Sequence, residues 1–159
     1  MLAPIIVFAF NRPEALKNTI QSLLENEEAK DSDLYVFVDG ARPNKPEEGE
    51  KVKAVQEYVK KIEGFKNIHY TFSQSNKGLA PSIIAGVTEI INQYDKVIVV
   101  EDDLYLSKSF LNYMNQMLNT FQNNKLIFQV SGFGVKIKKP LSYQADVYYN
   151  IRAQCWSWG

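Results

Sequence analysis

The sequence predicts an α/β protein: an open, mostly parallel sheet with helices on both faces. Two observations carry that reading. Short apolar runs alternate, four times in succession, with segments whose apolar residues recur at helical spacing. The first run is apolar on both faces, as a strand buried between two layers must be, whereas the third (residues 68–72) alternates. Helical connections between parallel strands then cross over right-handedly.

Each element has its own signal. Residues 3–10 (APIIVFAF) form the first strand. Pro13 follows where a helix accepts proline, in its first turn, and Leu16, Ile20, Leu23 and Leu24 mark one helical face. Residues 34–38 (LYVFV) are the second strand, stopped by Asp39-Gly40. Residues 42–51 are polar, with two prolines and an acidic cluster, and read as a surface loop. Pro46, Glu47 and Glu48 start a helix, the acids favouring the positive end of its dipole. Val52, Val55, Val59 and Ile62 carry it to Gly64, a natural stop. Residues 68–72 (IHYTF) are the third strand and residues 73–78 a polar loop. Pro81 opens a helix with Ile83, Ile84, Val87, Ile90 and Ile91 on one face. Residues 96–100 (KVIVV) are the fourth and most deeply buried strand, ending in Glu101-Asp102-Asp103. Ser107 is a candidate cap for a helix bearing Leu111, Met114, Leu118 and Phe121. Residues 126–130 (LIFQV) read as a fifth strand, and residues 147–151 as a last one after the pattern blurs at Pro140.

At 159 residues the chain fits one domain, at the usual ~150 residues each, with no linker, repeat or low-complexity tract. It is long enough to bury a core without a disulfide or metal staple. The 18 basic and 18 acidic residues cancel, which removes the basic field a nucleic-acid partner needs. A single cysteine, Cys155, excludes an internal disulfide and fits a reducing compartment. With no histidine close in sequence, it reads as a small buried hydrophobe. The apolar stretch 2–10 is too short to span a membrane and is broken at once by Asn11, Arg12 and Pro13. It also lacks a preceding basic residue and a small-residue cleavage site, so a core strand and a cytoplasmic location are the expectation.

Open α/β sheets bind ligands beyond the carboxyl ends of their strands. Here those ends are Asn11-Arg12, Asp39-Gly40, residues 73–77 and Glu101-Asp102-Asp103. An arginine, a lone aspartate, a Lys-Gly loop and an acid triplet on one rim suggest a polar, phosphorylated ligand. Three adjacent carboxylates repel one another, and nothing nearby in sequence neutralises them. A hard divalent cation would, since Mg²⁺ or Mn²⁺ takes one or two carboxylates plus substrate phosphates.

Every one of these residues also has a plainer reading. Asp102 and Asp103 can cap the next helix or face water, and Arg12 can pair with Glu14. Asp39-Gly40 is a common turn dipeptide, and Asn76-Lys77-Gly78 is ordinary loop punctuation. His69, the only histidine, alternates with apolar residues and reads as packed or edge-exposed rather than as a ligand. Tyr148, Tyr149, Trp156 and Trp158 could stack on a sugar ring, but core packing is the better reading for any one of them.

Taken together, residues 5–13 (IIVFAFNRP), 35–40 (YVFVDG), 75–79 (SNKGL), 97–103 (VIVVEDD), 107–114 (SKSFLNYM) and 130–134 (VSGFG) resemble the GT-A glycosyltransferases, close to the family 2 enzymes. They are also similar to the animal N-acetylglucosaminyltransferases that carry Glu-Asp-Asp as a DXD-like motif. The resemblance spans nearly the whole chain in order. It implies a Rossmann-like GT-A fold of the nucleotide-diphospho-sugar transferase type. By position, Asn11 and Arg12 would line the nucleotide, with Arg12 at the base, and Asp39 would hydrogen-bond uracil. Lys77 and Gly78 would lie near the phosphates, and Glu101 and Asp102 would meet the ribose and sugar. Asp103 would bind the Mn²⁺ or Mg²⁺ that bridges the diphosphate.

The implied activity is metal-dependent, inverting transfer of a hexosyl or N-acetylhexosaminyl group from a UDP-sugar to an acceptor hydroxyl. The acceptor would be a saccharide or lipid-linked saccharide in polysaccharide or glycoconjugate synthesis, bringing the protein to the inner face of the membrane. In such enzymes the catalytic base lies further along than Gly159; Asp146, the only acid after Asp103, is not given that role. Residues 155–159 (CWSWG) end in an aromatic cluster with no closing helix or polar tail. Residues 1–159 are therefore expected to be a single GT-A nucleotide-sugar-binding domain, truncated before the acceptor-binding part. The alternative is that Trp156 and Trp158 pack back onto the sheet.

Three rivals differ on particular residues. A sugar-nucleotide pyrophosphorylase should carry a glycine-rich loop where Phe10-Asn11-Arg12-Pro13 stands. A response-regulator receiver has its acid pair after the first strand rather than the fourth. A non-catalytic module binding nucleotide-sugar or saccharide needs no base.

Overall fold

The computed structural model describes residues 1–138 and 140–159. In chain order the elements are β1 (Ile5–Ala9), α1 (Pro13–Leu24), a 3-10 helix (Glu27–Asp31), β2 (Asp33–Val38), α2 (Glu47–Val59), β3 (Asn67–Phe72), α3 (Leu79–Tyr94), β4 (Ile98–Glu101) and α4 (Phe110–Phe121). The strands form one sheet in the order β3-β2-β1-β4, with every neighbouring pair parallel. The register sets Ile5 against Leu34 on one side and against Ile98 on the other. All four carboxyl ends therefore meet on one rim, with the β1 end between those of β2 and β4.

Strand alternation sorts the side chains into two layers. Ile5, Val7, Leu34, Val36, Ile98 and Val100 pack with Leu16, Ile20 and Leu23 of α1, Val52, Val55 and Val59 of α2, and Leu111 and Met114 of α4. Ile6, Phe8, Val97 and Val99 face the other way, onto Ile83, Val87 and Ile90 of α3. Each fully buried Leu, Ile or Val contributes about 1.5–3 kcal/mol, so the first layer carries most of the stability. No helix among the described residues is long and apolar enough to cross a membrane.

Several expected boundaries shift. The helix from Pro46 ends at Val59; Ile62 still reaches the core, but from the turn beyond it. The helix expected at Pro81 begins two residues earlier, at Leu79, because a first-turn N–H needs no helical partner and its loss at proline costs nothing. Ser107 does not cap α4. The flanking residue there is Ser109, and Ser107 instead accepts a turn hydrogen bond from the Phe110 N–H at 3.0 Å.

The larger correction concerns the last third of the chain. Residues 126–130 and 147–151 are not strands. Leu126 and Phe128 are 92% and 94% exposed, so their alternation with polar neighbours marks no buried face. The edge of β4 is taken by Trp158, which exchanges both backbone hydrogen bonds with Val99. Gly159 pairs in turn with Val130, and Ser157 with the Gly132 N–H at 2.9 Å. These bridges run antiparallel, so the sheet is extended on this side by a segment from the far end of the chain. Trp158 packs on the α3 side of the sheet, whereas Trp156 stays half-exposed against the Phe133 ring, 4.8 Å between centroids. Cys155 is exposed rather than buried. His69 lies exposed on the edge strand β3, stacked on Tyr35 at 4.6 Å.

Candidate functional site

The rim holds two separate polar constellations, one at the β2 end and one between β1 and β4. At the β2 end Asp39 turns its carboxylate into the loop that follows β3. Oδ1 accepts from the N–H groups of Gly40 and Lys77, both at 2.9 Å. Oδ2 accepts from the Gly78 N–H at 2.9 Å and from Asn76 Nδ2 at 3.1 Å. A carboxylate has about four lone-pair sites, and these donors fill them. The loop can come this close because residue 40 is glycine: a Cβ there would sit 2.6 Å from the Ser75 carbonyl carbon. Gly78 adopts φ +84°, a left-handed turn that releases the chain into α3. The Asp39 charge thus sits at the positive end of the α3 dipole, where an anion is stabilised. The N–H groups of Lys77 and Gly78, expected near phosphate, are spent on Asp39; the Lys77 side chain remains at the exposed rim.

Between β1 and β4 the acid triplet divides. Glu101 is the last residue of β4, pairs in register with Phe8, and lies on the α3 side beside Val99 and Trp158. There it borders an apolar groove of about 720 Å³. Asp102 is 4% exposed in its side chain and also receives the Phe10 N–H at 3.4 Å. Asp103, at 40%, stands at the surface. Arg12 joins the two aspartates: Nη2 donates to Asp102 Oδ1, and Nη1 to Asp103 Oδ2 at 2.7 Å. Neutralisation absent from the neighbouring sequence is therefore supplied from 90 residues away, and Glu14 is not the partner of Arg12. Neither aspartate caps α4.

The site is bolted in place from behind. Thr19 of α1 donates to the Leu104 carbonyl at 2.8 Å and accepts its N–H at 3.1 Å, and Ser22 accepts the Leu106 N–H at 3.1 Å. These two buried hydroxyls tie the chain after the triplet to the helix that Arg12 precedes. Glu48 is a further buried acid, paired with Arg42, whose guanidinium lies 5.8 Å above the Phe10 ring. The sequence reading missed this pair because both residues fall in a stretch whose composition is that of a solvated loop.

Burial drives the electrostatics. Desolvation pushes the Glu101 carboxyl above the usual carboxylate range, with Asp103 and Asp102 adding to the shift and Arg12 opposing it. Asp102 is also raised by desolvation, against the pull of Arg12 and the Phe10 N–H. Arg12 is partly desolvated too, but its two carboxylates outweigh that and hold it firmly protonated.

Among the described residues no three His, Cys, Asp or Glu side chains converge as a closed metal cage. The donor set fits a different kind of site. Asp103 offers carboxylate oxygen at an accessible rim, which suits a hard divalent ion whose coordination is completed by a ligand's own oxygens. Phosphate oxygens are such ligands.

The comparisons agree with this architecture. No curated protein sequence matches. Among solved structures, the mannosyltransferase PcManGT from Pyrobaculum calidifontis, in complex with GDP-Man and Mn²⁺, superposes with a TM-score of 0.55 at 12% identity, covering 82% of this chain and 35% of that one. TarS of S. aureus superposes at 0.52 and 16% identity, covering 77% of this chain and 20% of that one. A 1–349 structure of TarS gives 0.53 and 16%, with 33% of that chain covered. The chain thus spans about a third or less of the length of these structures, and the likeness is one of fold. The family model described as "Glycosyl transferase family 2" matches residues 5–154, nearly the whole chain, and the chain belongs to that family.

Proposed function

We propose that this domain binds the donor of a metal-dependent, inverting glycosyl transfer, with a UDP-sugar as donor and a saccharide or lipid-linked saccharide as acceptor. The observation that carries the reading is Asp103, an exposed carboxylate just beyond the carboxyl end of β4, next to the central strand β1 and flanked by an arginine on the same rim. A divalent ion there supplies charge to offset that on the departing nucleoside diphosphate. Asp103 holds that ion. Arg12 reaches the diphosphate or base from the adjoining strand end, with Asn11 beside it. Lys77 adds an exposed cation from the loop after β3. Glu101 takes ribose or sugar hydroxyls, while the buried Asp102 holds Arg12 from behind.

Uracil recognition at Asp39 works by exchange. Of the donors on its carboxylate, Asn76 is a side-chain amide and can swing away, leaving Oδ2 to accept the uracil N–H. The chemistry then balances simply. An acceptor hydroxyl oxygen bonds to the anomeric carbon, and the bond from that carbon to the diphosphate oxygen breaks. The hydroxyl proton passes to a carboxylate base. Asp146, the one acid after Asp103, is not assigned that role.

The Asp39 geometry supports UDP, whereas the structural neighbour PcManGT is in complex with GDP-Man. A thermal-shift screen of UDP-, GDP- and dTDP-sugars with and without Mn²⁺ tests the reading. Binding at 100 times Kd stabilises by about 2.7 kcal/mol, which such a screen resolves. Stabilisation by UDP-sugars only with Mn²⁺ is expected. Equal shifts without metal would remove the metal, and a preference for GDP-sugars would remove uridine.

A further inference from the structure

We propose that Arg12 makes metal binding conditional on the diphosphate, acting as a resident cation that holds Asp102 and Asp103 until the donor arrives. This inference rests on the reading of Asp103 as the metal ligand. Its own basis is the geometry of the guanidinium, which is shared between two carboxylates rather than forked onto one. The two ends of that bridge differ. Asp102 is buried and receives a backbone N–H as well, whereas Asp103 is exposed. The Arg12 side chain is itself 51% exposed, so it has room to turn. Its position also places a positive charge at the N-terminus of α1, where the helix dipole disfavours cations, with no side-chain cap bond of its own. The two carboxylates are what keep it there.

A divalent ion binds Asp103 less tightly while a guanidinium holds its Oδ2, because two cations sharing one carboxylate repel, even though Oδ1 stays open. Tight metal binding is therefore favoured when Nη1 leaves Asp103. Departure without a new partner exposes an unpaired donor and loses a charge-assisted bond. A diphosphate oxygen replaces that partner. Arg12 pivots on Asp102, exchanging the Asp103 oxygen for phosphate while Nη2 stays in place. Arg12 is thus a positioning residue for the metal site, and Asp102 is the pivot that positions Arg12. By linkage, the diphosphate must tighten metal binding by the same factor as metal tightens the diphosphate.

Loss of the free Mn²⁺ electron-paramagnetic-resonance signal measures binding of the metal alone, and calorimetry at saturating Mn²⁺ measures UDP. Wild type should bind Mn²⁺ alone weakly, and Arg12→Gln should bind it about tenfold more tightly, a usual size for such coupling. UDP should then raise Mn²⁺ affinity much less in Arg12→Gln than in wild type. Arg12→Lys keeps the charge but not the fork, and is expected to fall between the two; it also serves should the glutamine variant not fold. Equal Mn²⁺ affinity in wild type and both variants, with Mn²⁺-dependent UDP binding still lost in Asp103→Asn, would overturn this proposal and leave the metal site standing. Absence of Mn²⁺ binding by every folded form, with or without UDP, would overturn the metal reading and the proposal with it.

Discussion

The two ends of the rim hold carboxylates by different means. At the β2 end, Asp39 is gripped mainly by backbone N–H groups from residues 40, 77 and 78. Those donors move only if the loop moves. Between β1 and β4, Asp102 and Asp103 are held mainly by one long side chain that is half in solvent, with the Phe10 N–H a longer second donor to Asp102. Backbone donors make a permanent fixture, whereas a side-chain donor makes an exchangeable one. The β2 end should therefore respond to mutation through stability as well as through uracil affinity, and the β4 end chiefly through ligand affinity.

Four substitutions sharpen or break that contrast. Asp103→Asn should abolish the metal-dependent part of nucleotide binding, a loss of tenfold or more, or about 1.4 kcal/mol upward. Its melting temperature should stay near that of wild type, and calorimetry with unchanged Mn²⁺-dependent affinity would break the contrast at its strongest point. Gly40→Ala comes next. The new Cβ meets Ser75 backbone at 2.6 to 2.8 Å, and backbone cannot yield cheaply. Overpacking of this kind costs about 1–3 kcal/mol in denaturant unfolding. Asp39→Asn should cost at the lower end of the same range, about 1 kcal/mol, since an amide NH₂ would face N–H donors in place of one oxygen. Faster amide exchange at Lys77 and Gly78 is the expected sign; unchanged protection there would mean the loop holds itself.

The smallest effect is predicted for Glu101→Gln. The folded-state Glu101 carboxyl is raised, so the folded protein binds its proton more tightly than the unfolded chain does. Its contribution to stability is full below the ordinary carboxylate pKa and is lost as pH rises through the raised folded value. At neutral pH the charged form is a penalty, and Glu101→Gln removes it. A gain of up to about 2 °C in melting temperature at pH 7, shrinking to none near pH 4, is expected. A gain that grows on acidification would contradict the sign.

The first two thirds of the fold was legible because periodicity reports burial directly. The run Ile5-Ile6-Val7-Phe8 has no polar alternation, and β1 is buried on both faces. The α1 stripe of Leu16, Ile20 and Leu23 is fully buried. The last third was not legible because residues 126–130 look like a strand locally, while the edge of β4 is settled by Trp158, 59 positions from its partner Val99. No local pattern records such a choice. Placing Arg12, Asp39 and the triplet on one rim followed from strand ends alone. Their pairing did not, because a contact spanning 90 residues leaves no spacing to read. The Cys155 reading failed for a related reason: hydrophobicity predicted burial, but its neighbours line an open groove.

The position of β1 in the middle of the sheet has a consequence for how the protein is made. Its first partner, β2, leaves the ribosome soon after it, with Leu34 only 29 positions behind Ile5. Its other partner comes much later, since Glu101 pairs with Phe8 across 93 positions. At about 5–20 residues per second the delay is roughly 5–19 s. During that interval β1, β2 and β3 can pair, while one edge of β1 stays open and Arg12 has no carboxylate to hold. The site comes into being with the insertion of β4, as the last event on the rim. The same order in reverse governs damage: an excursion that frees β4 erases the site while three strands remain paired, so binding is lost before most of the secondary structure.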